Sequence, residues 1–398
     1  MSIHPDQLDA LQDEEGRRLL AEIAGRDPSP AETLALVTAL RREHDPGLVA
    51  AAMTIHTLRK RATGRFRDAG RLWLTAEGLE QATGDLVADR RAARFVGCRR
   101  VADLCCGIGG DLMALARRQD IGSLLAVDRD PLHLAMAALN ARVANPEVEL
   151  TAIVADAEAV DLAGVDAVFL DPARRRSGKR TGVDTSPPLD WALGLVDRVA
   201  RVGVTVAPGI DHALVPDGWE LELTAIGSDL KEGVLWSPAL ATTARRAVVL
   251  DPDTGEAHEM VEGDPGEIAV VEPVAGLTVI DPNPAVTRAG MVRELAASVG
   301  AAMIDPQIAF LVTDRPVTTP FGRALTVVDA LPWHEKRVKA RLRELGAGPI
   351  DVRRRGLAGD VDAIARRLRG PGTRRLTVLM TRHRDAPWAI IAEAPPSS

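Results

Sequence analysis

Tyrosine is absent from the 398 residues, and five Phe and six Trp hold the aromatic share to 3%. Lysine stands only at positions 60, 179, 231, 336 and 339, so 44 of the 49 basic residues are Arg. Biases of this kind follow from a GC-rich genome, so an Arg in this chain informs only through its position. The three cysteines, Cys98, Cys105 and Cys106, are odd in number and two of them adjacent, which argues against a disulfide framework. They form no Cys-x-x-Cys or Cys/His spacing for zinc, and the eight His are scattered, so no metal is expected. No apolar run nears the roughly 18 residues a membrane helix needs. The start, Met1-Ser-Ile-His-Pro-Asp6, has no basic patch followed by an apolar stretch. A membrane partner is not expected, and the expected location is the cytoplasm.

What is present is ordinary globular material, 46% hydrophobic and 26% charged. The length suggests two or three domains at roughly 150 residues each. The net charge of −7 is unevenly placed. Residues 332–384 hold fifteen Lys/Arg against five Asp/Glu, a local +10 that leaves −17 for the rest. A basic segment on an acidic protein points to a polyanionic partner.

The first hundred residues read as helical. Ser29-Pro-Ala-Glu32 is a capping box with Pro where the first turn needs no donor, and Leu34, Leu36, Val37 and Leu40 follow it at helical spacing. Pro46-Gly47 should break this helix, with further helices over 48–61 and 75–94. From Arg100 short apolar strands alternate with helices. Strands are expected at 101–106, 123–128, 149–156, 165–171 and 203–207, which makes a parallel α/β sheet with right-handed crossovers. Residues 247–256 read as a strand and turn of an antiparallel hairpin closing that sheet. Two small α/β units should follow. The expected division is a helical region at 1–95, a Rossmann-like domain at 96–272, and small units at 273–331 and 332–398.

The turn Asp103-Leu-Cys-Cys-Gly107-Ile-Gly109-Gly110 joins the first strand to its helix. Glycines there let backbone N–H groups approach a ligand. No Gly-Lys-Ser/Thr follows, so it is not a phosphate-binding P-loop, and Gly-x-Gly-x-x-Gly is absent. Asp103, Asp128, Asp156 and Asp171 end the first four strands, and in a doubly wound sheet those ends face one crevice. A carboxylate after strand two suits a ribose diol, an acceptor near strand three an adenine amine, and an acid near the first turn an ammonium or sulfonium.

Residues 100–172 resemble the class I S-adenosylmethionine-dependent methyltransferases, most closely RNA methyltransferases with Asp-x-x-Cys-Gly-x-Gly. The run through Ala126-Val-Asp-Arg-Asp-Pro131 is also similar to the cap-guanine amine methyltransferases. The resemblance implies S-adenosylmethionine as cofactor. Asp103, Cys105, Gly107, Gly109 and Gly110 would cradle its methionine moiety. Asp128 with Arg129 would hold the ribose, and Asp156 with Ala157 the adenine, beside Asp171. Cys105 stands where many members have the first Gly of the loop. Asp171-Pro-Ala-Arg174 matches the Asp/Asn-Pro-Pro-aromatic motif of amino-methyltransferases at Asp171 and Pro172, which with Arg174 are the expected catalytic residues. Arg174 replaces the stacking aromatic, and a guanidinium can stack on a base or grip a phosphate.

Arg175, Arg176, Lys179 and Arg180 continue that loop and suit an RNA backbone. Methylation at pyrimidine C5 normally needs a thiolate, and no Cys follows Cys106, so N-methylation is preferred. Leu277-Thr-Val-Ile-Asp-Pro-Asn-Pro-Ala-Val-Thr-Arg-Ala-Gly290 with Phe321-Gly-Arg323 resembles the ferredoxin-like insert of a bacterial methyltransferase family. That family shares the Asp-Pro-Ala-Arg-Arg motif and a THUMP-like C-terminal domain, which is similar to RNA-binding modules of tRNA and rRNA enzymes. Arg353, Arg354, Arg355, Arg366 and Arg367, with Arg337, Lys339, Arg341, Arg343 and Arg369, fit phosphate contacts. The N-terminal cluster Arg59, Lys60, Arg61, Arg65, Arg67 and Arg71 could extend the track, while Trp333 reads as core. The expectation is a methyltransferase acting on a base nitrogen of structured RNA, tRNA or rRNA. The alternatives are a non-catalytic binder of cofactor and RNA, motivated by Ala173-Arg174, and a small-molecule methyltransferase, which leaves the basic segment unexplained.

Overall fold

The computed structural model describes residues 3–174 and 185–394. The chain forms two compact units, Met1–Trp219 with Val234–Thr242, and Glu220–Gly233 with Thr243–Ser398. No helix among the described residues is long and apolar enough to cross a membrane.

The first unit opens with α1 (Pro5–Gln12), α2 (Glu14–Arg26), α3 (Pro30–Leu40) and α4 (Pro46–Ala62). Glu32 Oε2 accepts from the Ser29 amide at 3.0 Å, the return arm of the capping box. Pro46-Gly47 does not end α3, which stops at Leu40; it opens α4, because Asp45 Oδ1 accepts from the Leu48 amide at 2.9 Å and Pro is suited to the first turn. Leu8, Leu11, Leu19, Ile23, Ile55, Leu72 and Leu74 pack a shared apolar core, each 1% exposed or less.

The single helix expected over 75–94 is two, α5 (Ala76–Gln81) and α6 (Asp85–Ala92). Long-range bonds win over helix continuation at the break. The Asp85 amide donates to Arg65 O at 3.1 Å, and Asp85 Oδ2 accepts from the Arg67 amide at 2.7 Å. A side chain at Gly84 would stand 3.2 Å from Arg65 O.

The α/β part then runs β1 (Arg100–Leu104), α7 (Gly110–Ala116), β2 (Ser123–Asp128), α8 (Pro131–Ala144), β3 (Glu149–Val154), β4 (Ala167–Leu170), the short ladder β5 (Ala173–Arg174) and β6 (Thr185–Ser186), α9 (Leu189–Gly194) and β7 (Arg201–Val206). The strands pair in parallel in the order β7-β4-β1-β2-β3. β1, β2 and β4 are buried on both faces, as parallel strands between helices must be, whereas β3 is an exposed edge. Phe95, Phe169 and Trp236 meet edge-on or tilted within 6.3 Å and fill one side of the sheet.

In the second unit β8 (Glu220–Ile226) and β10 (Arg245–Leu250) run parallel; β9 (Asp229–Trp236) follows β8 in sequence and belongs to this unit only as far as Gly233. β10 turns back into β11 (Ala257–Val261) through an Asp251 turn, the expected hairpin. Arg246 is buried among Glu220, Glu222 and Glu259. The rest is β12 (Thr278–Pro282), α10 (Pro284–Arg288), α11 (Val292–Val299), β13 (Ala302–Asp305), β14 (Ile308–Thr313), β15 (Gly322–Pro332), α12 (Glu335–Glu344), β16 (Ala347–Arg354), α13 (Val361–Leu368), β17 (Arg374–His383) and β18 (Ala386–Glu393). These strands make one seven-stranded sheet, β13-β14-β12-β15-β18-β17-β16. β15 pairs with β12 on one side and β18 on the other, so the expected boundary at 331/332 falls at the end of a strand inside a continuous sheet. The sheet curls far enough for His383 Nδ1, at the end of β17, to lie 2.7 Å from Ile304 O on β13. Trp333 packs against the apolar cluster around Val338 and Leu342.

Candidate active site

The turn after β1 is built by close approach of backbone. Cys105, Gly107 and Gly109 have φ of 60°, 54° and 88°. A side chain at Gly109 would stand 3.0 Å from Ala137 Cα of α8, and one at Gly110 2.7 Å from Thr83 O. The turn is therefore clasped between α8 and the α5–α6 connection. Asn140, fully buried, completes the clasp: its amide donates to Ile108 O and Trp73 O, both at 2.9 Å, and accepts from the Trp73 amide at 2.7 Å.

Asp103 lies in β1 between Ala126 of β2 and Phe169 of β4, 1% exposed, and its Oδ2 has no hydrogen-bond partner among the described residues. Burial pushes its carboxyl well above the usual range, the charges of Asp111, Asp171 and Asp128 add to this, and Arg91 opposes it. Arg91 is 3% exposed, donates to both Asp111 oxygens at 2.9 and 2.8 Å and to Thr83 Oγ1 at 3.1 Å, and lies 4.9 Å from the Phe169 ring centre.

Asp128 is fixed by two backbone amides, Gly107 to Oδ2 at 2.8 Å and Asp130 to Oδ1 at 2.9 Å. Asp130 in turn caps α8 through the Leu132 and His133 amides. Arg129 is exposed. The Ala155 amide donates to Asp128 O at 3.1 Å, which sets exposed Asp156 and buried Ala157 beside the end of β2. Asp171, half-buried, follows β4 with its amide 3.3 Å from Leu104 O, and Pro172 is buried behind it. Arg174 is in β5, paired with Thr185. Arg175, Arg176, Lys179 and Arg180 lie outside the described residues.

The carboxyl edge of the sheet thus gathers Asp103, Asp128 and Asp171. It suits a ligand that brings positive charge to the unpartnered Asp103 oxygen and hydroxyls to the immobilised Asp128. The thiols offer no nucleophile: burial raises Cys98 and Cys106, and with the nearby carboxylates pushes Cys105 up to about 12. Arg91, Thr83 and Asn140 carry no motif signal, because their role depends on what they meet after folding.

The basic residues divide in two. Arg355 donates to Asp281 and Pro282 O, Arg367 to Glu335, Arg353 to Asp351, Arg341 to Asp329 and Glu344, and Arg354 to Leu357 O. Arg337, Arg343, Arg366 and Arg369 are exposed with no carboxylate within 4.0 Å among the described residues. In the N-terminal cluster internal acceptors engage several side chains. Arg59 donates to Leu72 O and Arg71 O, Lys60 to Asp27, Arg65 to Leu79 O and Arg67 to Asp85.

A parallel sheet in this order, with a glycine turn after the central strand and carboxylates at its carboxyl edge, defines a class I S-adenosylmethionine-dependent methyltransferase. The fold is similar to the crystal structure of a candidate methyltransferase from Porphyromonas gingivalis, with TM-score 0.72, 18% identity, and coverage of 89% of this chain and 92% of that one. Proteins from two strains of Mycobacterium tuberculosis, each named an uncharacterized S-adenosylmethionine-dependent methyltransferase, are 38% identical over 341 residues, covering 82% of this chain and 90% of theirs. The chain belongs to this methyltransferase family. Residues 322–394 match the THUMP domain-like family, and residues 4–62 match a domain of unknown function, DUF8688.

Proposed function

We propose that this methyltransferase modifies a base nitrogen in structured RNA, tRNA or rRNA. The observation that carries the reading is the THUMP-like region at 322–394, with Arg337, Arg343, Arg366 and Arg369 exposed and without carboxylate partners among its described residues. Such a face gains binding free energy by releasing counterions from a phosphate backbone.

When bound, S-adenosylmethionine would supply a methyl group from its sulfonium, with the neutral thioether S-adenosylhomocysteine as a ready leaving group, so the protein's task is orientation. Asp103 takes the cationic end of the cofactor, Asp128 the ribose hydroxyls, and Asp156 with Ala157 the adenine edge. The Asp171 carboxylate and the Pro172 carbonyl accept hydrogens from an exocyclic amine and aim its lone pair at the methyl group. A neutral amine attacks without a strong base, and its proton leaves after transfer.

The test is label transfer from tritiated S-adenosylmethionine to total RNA of cells lacking the gene, with Asp171→Ala as control. Label that disappears in the variant supports the reading, and nucleoside analysis names the atom. An absence of label, with cofactor and RNA binding intact in the same preparation, refutes RNA methylation.

A further inference from the structure

The helical region at the start of the first unit supplies no side chain to the donor carboxylates, yet it encloses a cavity of its own between α2 and α4. The volume is about 150 Å³, roughly five times the share of one water in the liquid. Leu20 and Ala24 of α2 form an apolar wall. His56, Arg59, Lys60 and Thr63 form the opposite wall; they recur at helical spacing along one face of α4 and its C-cap. Gly70 stands at the rim, and nothing lies within 4 Å of where its Cβ would be, which leaves that side open.

Arg59 is held in a set orientation without a countercharge. Its Nε donates to Leu72 O at 2.8 Å and its Nη2 to Arg71 O at 3.2 Å, and the guanidinium lies 5.4 Å from the Trp73 ring centre. No carboxylate stands within 4.0 Å of it among the described residues. Burial pulls its pKa down to about 10, as expected for a cation withdrawn from water with no anion beside it. The neighbouring charges do not make up the difference. Asp27 Oδ1 lies 2.7 Å from Lys60 Nζ and 3.3 Å from His56 Nε2, so one carboxylate already serves two groups. Arg59 and Lys60 against Asp27 leave one positive charge uncancelled on the cavity.

We propose that this cavity binds a phosphoryl group, as inorganic phosphate or as the terminal phosphate of an RNA chain. A tetrahedral oxyanion presents oxygens to Arg59, Lys60 and His56 at once, and the cavity has room for it but not for a nucleoside. A guanidinium already fixed on two nitrogens loses little entropy on binding it, and the bond is charge-assisted. The site is independent of the RNA reading above, because its chemistry depends only on the phosphoryl group.

The experiment is calorimetric titration of the full chain with inorganic phosphate, and with one oligoribonucleotide carrying either a 5′-phosphate or a 5′-hydroxyl. Wild type is compared with Ala24→Glu and Asp27→Asn, and circular dichroism checks folding. Both positions are exposed, Glu is a good helix former, and Asn accepts the left-handed backbone of Asp27 at φ 38°. Ala24→Glu brings a carboxylate to the cavity, so phosphate should bind at least about tenfold more weakly while thermal stability holds or rises. Asp27→Asn removes the competing carboxylate and should tighten binding by about threefold. These opposite shifts support the site. No heat from phosphate or from the phosphorylated oligonucleotide in wild type overturns it, and so does binding that Ala24→Glu leaves unchanged. A preference for the 5′-phosphate that Ala24→Glu abolishes makes an RNA terminus the source. Phosphate binding without that preference makes free phosphate the source. Oligonucleotide binding that neither the 5′ group nor Ala24→Glu alters leaves the RNA reading standing whatever becomes of this site.

Discussion

Replacing Asp103 by Asn exchanges one carboxylate oxygen for an amide nitrogen at nearly constant volume, and its effects on folding and on cofactor binding should have opposite signs. The wild-type carboxyl is 1% exposed, has an oxygen without a partner among the described residues, and faces Asp111, Asp171 and Asp128. Folding raises its pKa above the ordinary 3.8. The stability tied to this group is therefore fully present below 3.8 and is lost as pH rises toward the folded value. Asn does not titrate, and its NH₂ can donate toward the surrounding carboxylates. Leaving a buried polar atom unsatisfied costs about 1–3 kcal/mol, so the ligand-free variant should be more stable than wild type by about that amount at pH 8. The gap should close near pH 4. Cofactor binding should weaken, because a hydrogen bond to a charged group contributes about 1.5–3 kcal/mol, or about 10- to 150-fold in Kd. Urea denaturation across pH and calorimetric titration with S-adenosylmethionine measure both. A variant less stable than wild type at pH 8 that binds the cofactor undiminished would refute the reasoning.

Three further outcomes are expected. Arg91→Met strands buried Asp111 and should cost about 3–5 kcal/mol in urea denaturation, most of it recovered by Arg91→Met with Asp111→Leu. Gly110→Ala forces a methyl group against the Thr83 backbone and should lower both Tm and cofactor affinity, whereas Gly25→Ala in α2, with nothing within 4 Å, should be neutral or stabilising by up to about 1 kcal/mol. With Cys105 pushed up to about 12 and Cys98 and Cys106 also raised, none of the three thiols should react with Ellman's reagent at pH 8 until urea exposes them.

Several features are written locally and can be read from neighbours along the chain. The capping box at Ser29, the apolar runs of β1, β2 and β4, the glycines after Asp103 and the acids beside the strand ends each depend on residues within a few positions. Period and turn chemistry act over that range, so the α/β class and the donor crevice follow from them. The tertiary structure decided what depends on partners met only after folding. The helix over 75–94 breaks because Asp85 finds Arg65 and Arg67. The glycine turn is clasped by Thr83 and Asn140, and Arg91 pairs with Asp111, 20 residues away. Arg355, written as one more basic residue, is oriented by Asp281, 74 residues earlier. Sequence spacing carries no information about such pairs, because chain closure over tens of residues adds only a slowly growing entropic cost and leaves the choice of partner to packing and charge.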